Sequence, residues 1–294
     1  MNILARSFLF AGLALSLAAC RHRGDVAEAV PADTPAPAPA AAPVGSAFDA
    51  VLAGDWREAK NSARDKYRHP RETLEFFGVK PGMTVIEIWP SGGWYTEVLA
   101  PYLRESGRYV GVINDASLVE PGREKFYADQ NNALRAKLSA RPDVYDRVQL
   151  RPIHPRAPEL GAPASVDAVL TFRNVHNWVM GGTEKEMFAA FYDVLKPGGV
   201  LGVVDHRAAE GAELEKIKNS GYLPEAYVIN LALRAGFQLE ARSEVNANPK
   251  DRKDYPGGVW TLPPALREGD KNRDEYLAIG ESDRMTLRFV KPRD

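Results

Sequence analysis

One segment constrains the fold most, the run TVIEIWPSGGWYTEVL that begins at Thr84. An apolar strand ends in an acidic residue, Glu87, the small-residue loop Ser91-Gly92-Gly93 follows, and an amphipathic helix begins at about Trp94. Glycine has no side chain, so backbone N–H groups at the helix start are open to a ligand, and the helix dipole adds positive potential there. Strand, loop and helix in this order predict a pocket for a small anionic or nucleoside-bearing ligand.

The first twenty residues have the pattern of a bacterial lipoprotein signal peptide. Arg6 is positively charged, Ser7–Leu15 is a short apolar stretch, and Leu17-Ala18-Ala19-Cys20 reads as a lipobox. A plain secretory signal or an uncleaved anchor are the alternatives. Cys20 is the only cysteine, so the processed domain would hold no disulfide and no cysteine nucleophile. We expect membrane contact through a lipid on Cys20 alone, on the periplasmic side, and Arg21 after the cysteine favours the outer membrane.

The remainder of the chain divides into a linker and one large domain. Residues 21–47 are rich in alanine and proline, which predicts an extended linker, and residues 48–294 suit a single domain. The formal net charge is −1 and no basic stripe with aromatic residues is present, so nucleic acid is not an expected partner. The histidines lack metal-ligand spacing, so no metal site is predicted. The sequence leaves the oligomeric state open.

Apolar strands and helices alternate along the domain. Five predicted strands have buried-strand composition, and two later ones alternate apolar and polar residues as half-buried antiparallel strands do. The predicted strands are Met83–Ile88, Tyr109–Ile113, Val148–Ile153, Val166–Thr171, Val200–Asp205, Phe237–Val245 and Arg284–Lys291. The pattern predicts an α/β fold with a doubly wound, mostly parallel seven-stranded sheet and a carboxy-terminal antiparallel pair.

With these residues in hand, the chain resembles class I S-adenosylmethionine-dependent methyltransferases. The likeness rests on TVIEIWPSGG, SVDAVLTFRNVHNW and LKPGGVLGVVDH, in that order, and on EAYVINLALRAGF before the antiparallel strands. More narrowly, EIWPSGGWYTEVLAPYL resembles a group of bacterial envelope proteins described as predicted methyltransferases. The resemblance implies a Rossmann-like fold, S-adenosylmethionine as cofactor and methyl transfer to a small-molecule acceptor of unknown identity.

The chain departs from the family at two cofactor positions. The first glycine of the family's acidic-x-Gly-x-Gly-x-Gly loop is replaced by Trp89, and the usual ribose-binding acid aligns with Ile113, so Asp115 is the nearest acidic candidate. Trp89 either packs against the cofactor or narrows the site. The cofactor-binding residues that the resemblance implies are Glu87, Trp89, Ser91, Gly92, Gly93, Tyr95, Asp115 and Asn174.

Three further residues are candidates for catalysis. His176 follows the fourth predicted strand, and a neutral imidazole is a suitable base near neutral pH. Asp205 and His206 end the fifth strand, where sequence neighbours point to opposite faces, so one of them is expected to reach the pocket. The alternatives are a local hydrogen bond for His176 and a structural ion pair with Arg207.

Two segments have a functional and a structural interpretation. The long insertion Asn246–Asp283 between the last two strands is either a lid or a surface excursion. Arg68-His69 before a proline break either lies over the cofactor or forms a solvated turn, which is the favoured interpretation. A lipobox directs the domain out of the cytosol, where S-adenosylmethionine is made. The second hypothesis for function is therefore a non-catalytic, methyltransferase-like lipoprotein that binds another envelope metabolite.

Overall fold

The computed structural model describes residues 44–293, with side chains from residue 47 onwards. The predicted signal peptide, Cys20 and most of the predicted linker lie outside the described residues, so the lipid anchor stays a prediction. Between residues 44 and 293, no helix combines the length and apolar character needed to cross a bilayer.

Twelve helices and seven strands make up the described part of the chain. The helices are α1 (Val44–Leu52), α2 (Ala59–Ser62), α3 (Asp65–Arg68), α4 (Pro70–Phe76), α5 (Thr96–Leu103), α6 (Glu124–Ser139), α7 (Pro142–Tyr145), α8 (Val175–Gly181), α9 (Glu184–Val194), α10 (Leu214–Ile217), α11 (Glu225–Arg234) and α12 (Arg273–Ile279). The strands are β1 (Thr84–Ile88), β2 (Arg108–Asn114), β3 (Gln149–Ile153), β4 (Val166–Phe172), β5 (Leu195–His206), β6 (Gln238–Ser243) and β7 (Arg284–Val290).

The strands form one mixed sheet in the order β3-β2-β1-β4-β5-β7-β6. Strands β1 to β5 pair in parallel, whereas β7 runs antiparallel to both β5 and β6. The predicted seven-stranded sheet with an antiparallel carboxy-terminal pair is therefore confirmed. The strand order reverses direction between β1 and β4, and the crevice at such a switch point is where open α/β sheets bind ligands.

Hydrophobic side chains cover both faces of the sheet, because the central strands are apolar at successive positions. Val85 on β1 faces a layer that contains Phe77 and Leu99, whereas its neighbour Ile86 faces a layer that contains Trp178. Helices α1, α4 and α5 supply the first layer, and α8, α9 and α11 supply the second. This three-layer packing fixes the strand ends on which the functional candidates lie.

The segment before the first strand folds differently from its helical pattern. A single helix over Trp56–Lys66 is the natural prediction, but the structure has two short helices, α2 and α3. The Asn61 backbone carbonyl accepts a hydrogen bond from Trp94 Nε1 at 2.9 Å, and its side-chain amide donates to Glu97 at 2.8 Å. These buried long-range bonds compensate for the broken helix, and they fix the turn beside the loop after β1.

Candidate functional site

A cavity of about 250 Å³ lies at the carboxyl ends of β1, β4 and β5. We call it the switch-point cavity, because it lies where the strand order reverses. Its lining includes the arginines Arg68 and Arg173, the carboxylates Glu87 and Glu281, and the histidines His176 and His206.

A second cavity of about 310 Å³ lies at the carboxyl ends of β2 and β3 and is called the β2-end cavity. Asn114 and His154 from the strand ends, together with Tyr127 from α6, contribute to its lining. Trp89 and Asn177 line both cavities. These two side chains therefore form the boundary between them.

Strained backbone surrounds the switch-point cavity. Trp89 and Ser91 in the loop after β1 have positive φ angles of 49° and 52°, and Arg173 after β4 has 63°. His69, next to Arg68, has 41°. Left-handed conformations are costly for residues other than glycine and cluster at ligand sites. Their concentration here supports a binding function for this end of the sheet.

The two glycines of the loop face away from both cavities. Gly93 has φ of 79°, and a Cβ at this position would lie 3.1 Å from Leu134 Cδ1 of α6. The Gly92 carbonyl accepts a hydrogen bond from Lys137 Nζ at 3.1 Å. Gly93 lets the loop pass close to α6, whereas a side chain at Gly92 would meet no neighbouring atom, so ligand binding by Gly92 and Gly93 stays a prediction.

Trp89 fills the position that the family gives to its first loop glycine. Its indole is partly buried and packs edge-on against Trp178, with ring centroids 5.5 Å apart. Its Nε1 is buried and finds no hydrogen-bond partner among residues 44–293. The indole separates the two cavities without filling either, and its N–H is a donor that a ligand spanning both cavities can use.

Glu87 is a buried carboxylate at the end of β1 with two hydroxyl donors. Its Oε2 accepts hydrogen bonds from Tyr109 at 2.6 Å and from Thr96 at 3.2 Å. Burial raises the pKa of Glu87 to about 7, although both hydrogen bonds act in the opposite direction. Glu87 therefore joins the end of β1 to α5 and β2, and it also lines the switch-point cavity, so its predicted role in cofactor binding stays a prediction.

The end of β2 presents Asn114 rather than Asp115 to a cavity. The Asp115 carboxylate accepts hydrogen bonds from the Ser117 backbone N–H and hydroxyl, and Asp115 is not among the residues lining either cavity. Asn114 is 4 % exposed and lines the β2-end cavity, and its Oδ1 lacks a hydrogen-bond partner within the described part of the chain. An unsatisfied buried acceptor is costly, so this amide is suited to a ligand hydroxyl.

Asn174 and Tyr95 both border the switch-point cavity and hold its walls together. The Asn174 amide donates to the Ile88 carbonyl at 2.8 Å, which joins the end of β4 to the end of β1. The Tyr95 ring stacks on Phe172 with centroids 3.5 Å apart. Cofactor binding by either residue stays a prediction.

His176 and Asp205 form a buried pair between the ends of β4 and β5. His176 Nδ1 lies 2.8 Å from Asp205 Oδ1, and the His176 backbone N–H donates to Oδ2 at 3.2 Å. Asp205 is fully buried and His176 is 4 % exposed. The carboxylate fixes the ring orientation and accepts the Nδ1 proton, which leaves Nε2 as a proton acceptor.

His206 lies beside this pair, so the structure brings all three predicted catalytic candidates together. The rings of His176 and His206 are 5.0 Å apart, and His206 Nδ1 lies 2.6 Å from Ser282 Oγ. Burial, and then the neighbouring His176, lower the pKa of His206 well below its usual range, so the ring is neutral at physiological pH. His206 lines the cavity itself. Its sequence neighbour Asp205 does not, and it acts there through its hydrogen bond to His176, which lines the cavity.

The same three residues have metal-compatible spacing in three dimensions. One ligand atom from each of His176, Asp205 and His206 lies within 4.8 Å of the others. Sequence spacing gives no sign of this, because His176 lies at the start of α8 after β4, whereas Asp205 and His206 end β5, and the two segments meet only in the folded sheet. The predicted absence of a metal site therefore stays a prediction.

Sequence reasoning missed the charged wall of the switch-point cavity. Arg68, for which a solvated turn was the favoured interpretation, is 2 % exposed, and its guanidinium stacks over Trp94 at 4.6 Å. Glu281, 4 % exposed, accepts ion pairs from Arg68 and other arginines. A cue was present in the close spacing of Arg64 and Arg68, but their partner is more than 200 residues away.

The long insertion between β6 and β7 forms part of the cavity wall. Val259, Trp260 and the segment Leu262–Ala265 line the switch-point cavity. The Trp260 ring lies 6.0 Å from His176, edge to face. The insertion therefore forms one wall of the switch-point cavity, and its role as a lid stays a prediction.

Comparison with known proteins identifies the fold. No protein-family model and no curated protein matches the chain. A SAM-dependent methyltransferase from Aquifex aeolicus has a TM-score of 0.51 and 17 % identity, over 78 % of this chain and 92 % of that chain. A candidate sarcosine dimethylglycine methyltransferase from Galdieria sulphuraria has a TM-score of 0.54 and 13 % identity, over 80 % of this chain and 89 % of the other.

A third solved structure with the same architecture carries a different name. The cyclase SpnF has a TM-score of 0.53 and 14 % identity, over 85 % of this chain and 94 % of that chain. Sequence identities this low establish the fold and leave the reaction to be argued from the site. The resemblance based on three sequence motifs is confirmed at the level of the methyltransferase fold, and the narrower resemblance to envelope proteins stays a prediction.

Proposed function

We propose that this protein binds S-adenosylmethionine across the two cavities and methylates a small-molecule acceptor in the switch-point cavity. The observation that carries the proposal is the pairing of an unsatisfied Asn114 acceptor in one cavity with an oriented His176–Asp205 pair at the other. When bound, S-adenosylmethionine supplies a methyl group already activated by its sulfonium. The chain must therefore mainly bind, align and deprotonate.

The residues at the boundary fit such a cofactor. Asn114 Oδ1 offers an acceptor to a ribose hydroxyl in the β2-end cavity. Trp89 offers an aromatic surface and an unpaired N–H between the cavities. Glu87 offers a carboxylate to the ammonium of the methionine part, and a nearby cation favours its ionised form.

His176 is the residue that we assign as the base. Asp205 accepts its Nδ1 proton, so Nε2 is the atom that takes a proton from the acceptor nucleophile. Asp205 stabilises the imidazolium that results, and its own position is fixed by two backbone N–H donors, from His176 and His206. His206 is the neutral neighbour of this pair, and its ring is held in place by a hydrogen bond between Nδ1 and the Ser282 hydroxyl.

A non-catalytic binding protein, the other hypothesis, gains little support from the described residues. A pure binding site has no need of a buried histidine oriented by a buried carboxylate, because burying this pair costs desolvation energy. The fold by itself does not decide the matter, since a solved structure with the same architecture is named a cyclase.

Calorimetric titration of the purified full-length protein with S-adenosylmethionine tests the proposal. Asn114→Ala should weaken binding about tenfold, the equivalent of one hydrogen bond. Asp115→Ala is the matched control, because Asp115 is the adjacent residue and does not line a cavity, and it should bind as the wild type does. Absence of binding heat at millimolar ligand, or equal weakening by both variants, would reject the assignment.

We further propose that a lipid on Cys20 holds the domain on the periplasmic side of the outer membrane. The proposal is supported by the lipobox and by Arg21 after it. Cys20→Ser should move the protein from the membrane fraction to the soluble fraction after cell breakage. Retention of the Cys20→Ser protein in the membrane fraction would contradict it.

A further inference from the structure

Four arginines surround a single carboxylate next to the switch-point cavity. Glu281 accepts ion pairs from Arg64 Nε at 2.6 Å, Arg284 Nη1 at 3.2 Å and Arg68 Nε at 3.3 Å. Burial alone would raise the pKa of Glu281, but the three guanidinium groups hold it at about 2. Glu281 is therefore ionised. The other carboxylates that act on these arginines are Asp205, which is hydrogen-bonded to His176, and Glu87, whose pKa burial raises to about 7, so the four guanidinium groups still outnumber the ionised carboxylates.

The fourth arginine, Arg173, has no such partner. Its guanidinium makes no hydrogen bond or ion pair with any residue in the described range, although it is partly buried and lines the cavity. Its backbone is held at φ of 63°, a conformation that arginine adopts at a cost. The fold thus holds a strained residue so that an unpaired positive charge borders the cavity.

Arg68 shares this excess of donors. It is 2 % exposed, lines the same cavity, and its Nη2 is buried without a partner among residues 44–293. Arg68 and Arg173 line the same cavity, and burial, and then the charge of Arg173, lower the pKa of Arg68 well below its usual range. A buried and a partly buried arginine with free donors in one cavity are suited to binding carboxylate or phosphate oxygens.

The cofactor by itself does not supply the missing negative charge. S-adenosylmethionine has one carboxylate, one ammonium and one sulfonium, so its net charge is positive. A divalent cation at His176, Asp205 and His206 would also add positive charge beside Arg173, Arg68 and Arg284, which already act on His206. The charge balance of the cavity therefore calls for a second, anionic molecule.

We infer that the acceptor carries a carboxylate or phosphate group and that Arg68 and Arg173 bind it. The inference rests on the proposed function and names the substrate class for it. With its anionic group on these arginines, an acceptor lies in the same cavity as His176, so the arginines position the nucleophile for deprotonation. The site should therefore bind small acidic metabolites and bind neutral or cationic acceptors more weakly.

Titration with inorganic phosphate tests the inference. The purified full-length protein is titrated calorimetrically with phosphate, in the presence and absence of S-adenosylmethionine. We expect phosphate to bind the wild type and Arg173→Gln to weaken that binding about tenfold or more. Because Arg173 has no protein partner to lose, this variant is expected to fold. Arg71→Gln, which removes a charge from an exposed ion pair on α4, is the matched control and should bind as the wild type does.

Three results separate the possible failures. Equal phosphate affinity in the wild type and Arg173→Gln would overturn the inference. Loss of S-adenosylmethionine affinity in Arg173→Gln, with phosphate unable to bind beside the cofactor, would also overturn it, because the arginines would then hold the cofactor's own carboxylate. Phosphate binding that depends on Arg173, without any binding of S-adenosylmethionine, would support the anion site and reject methyl transfer.

Discussion

The two cavities on either side of Trp89 are built from different chemistry. The β2-end cavity takes its polar character from one unsatisfied amide, Asn114, and from side chains near the surface. The switch-point cavity is lined by the buried charges of Arg68 and Glu281 and by the buried ring of His176. The charged residues of the first, Glu120, Arg123 and Arg156, are exposed to solvent, whereas the charges of the second are buried and require ionic complementarity. In the proposed function, the first cavity holds the hydroxyl-bearing part of the cofactor and the second holds the acceptor.

The largest effect is expected when a buried charge of the switch-point cavity is removed. Glu281→Gln removes the only carboxylate in contact with Arg64, Arg68 and Arg284 among residues 44–293, so it should lower the free energy of unfolding by about 3–5 kcal/mol. Urea denaturation of both proteins measures the difference. Glu75→Gln, which removes an exposed partner of Arg71, is the control and should cost less than about 1 kcal/mol. A cost below that of the control would show that the arginines need no internal counter-charge.

The next effect concerns the dependence of stability on pH. Burial raises the pKa of Glu87 from the usual 4.5 to about 7, so between these values the folded state binds more protons than the unfolded state. The free energy of unfolding should therefore fall by about 3 kcal/mol as the pH rises through this window. Denaturation curves of the wild type and Glu87→Gln, compared at several pH values, isolate this contribution. If the difference in free energy of unfolding between the two proteins is constant from pH 4.5 to 7, the pKa of Glu87 is not raised by folding.

A smaller effect is expected when the boundary between the cavities is removed. Trp89→Gly restores the family's glycine and suits the positive φ angle, so the backbone loses no stability there. We expect S-adenosylmethionine to bind about tenfold more weakly, since an aromatic contact worth about 1–3 kcal/mol is lost. Phosphate affinity should be unchanged, because Arg68 and Arg173 remain. Tighter cofactor binding in this variant would instead mean that the indole narrows the site.

The smallest expected effect is a difference between the two ligands in how much their binding depends on ionic strength. Phosphate binding at Arg68 and Arg173 is partly screened by salt, so its affinity should fall by a few-fold when sodium chloride is raised from about 0.05 to 0.5 M. S-adenosylmethionine binding should change less, because Asn114 and Trp89 contribute without charge and Glu87 alone contributes an ionic contact. Calorimetric titrations at both salt concentrations measure both changes. Equal salt dependence of the two ligands would mean that the cofactor is held by the arginines as well.

Much of the fold was predictable from local patterns. The central strands are apolar runs, KPGG marks the end of the helix before the fifth apolar run, and the alternating residues of β6 and β7 predicted the antiparallel pair. The observed bounds of most elements differ from the predicted ones by a few residues. Strand β5 begins at Leu195 and not at Val200, because it includes the segment with the two glycines. The failure at Trp56–Lys66 has a specific cause, since Asn61 bonds to Trp94 and Glu97, contacts that no local pattern reveals.

The candidate site was predictable only in part. His176, Asp205 and His206 follow strand ends, and parallel strands bring their carboxyl ends to one edge, so their proximity follows from the order of the motifs. The sequence did not predict that Asn114, and not Asp115, lines the β2-end cavity, because this depends on which side chain the end of β2 turns into the cavity. The arginine cluster was also hidden, since Glu281 joins Arg64 and Arg68 across the whole length of the domain.

By itself, the sequence determined the architecture and the edge of the sheet at which the candidate site lies, because hydrophobic periodicity and glycine placement act over short distances along the chain. Only the tertiary structure decided which charges are buried, which of them are paired, and that Trp89 stands between two cavities. These properties depend on desolvation and on Coulomb interactions through space, and both are set by residues that lie far apart in the chain.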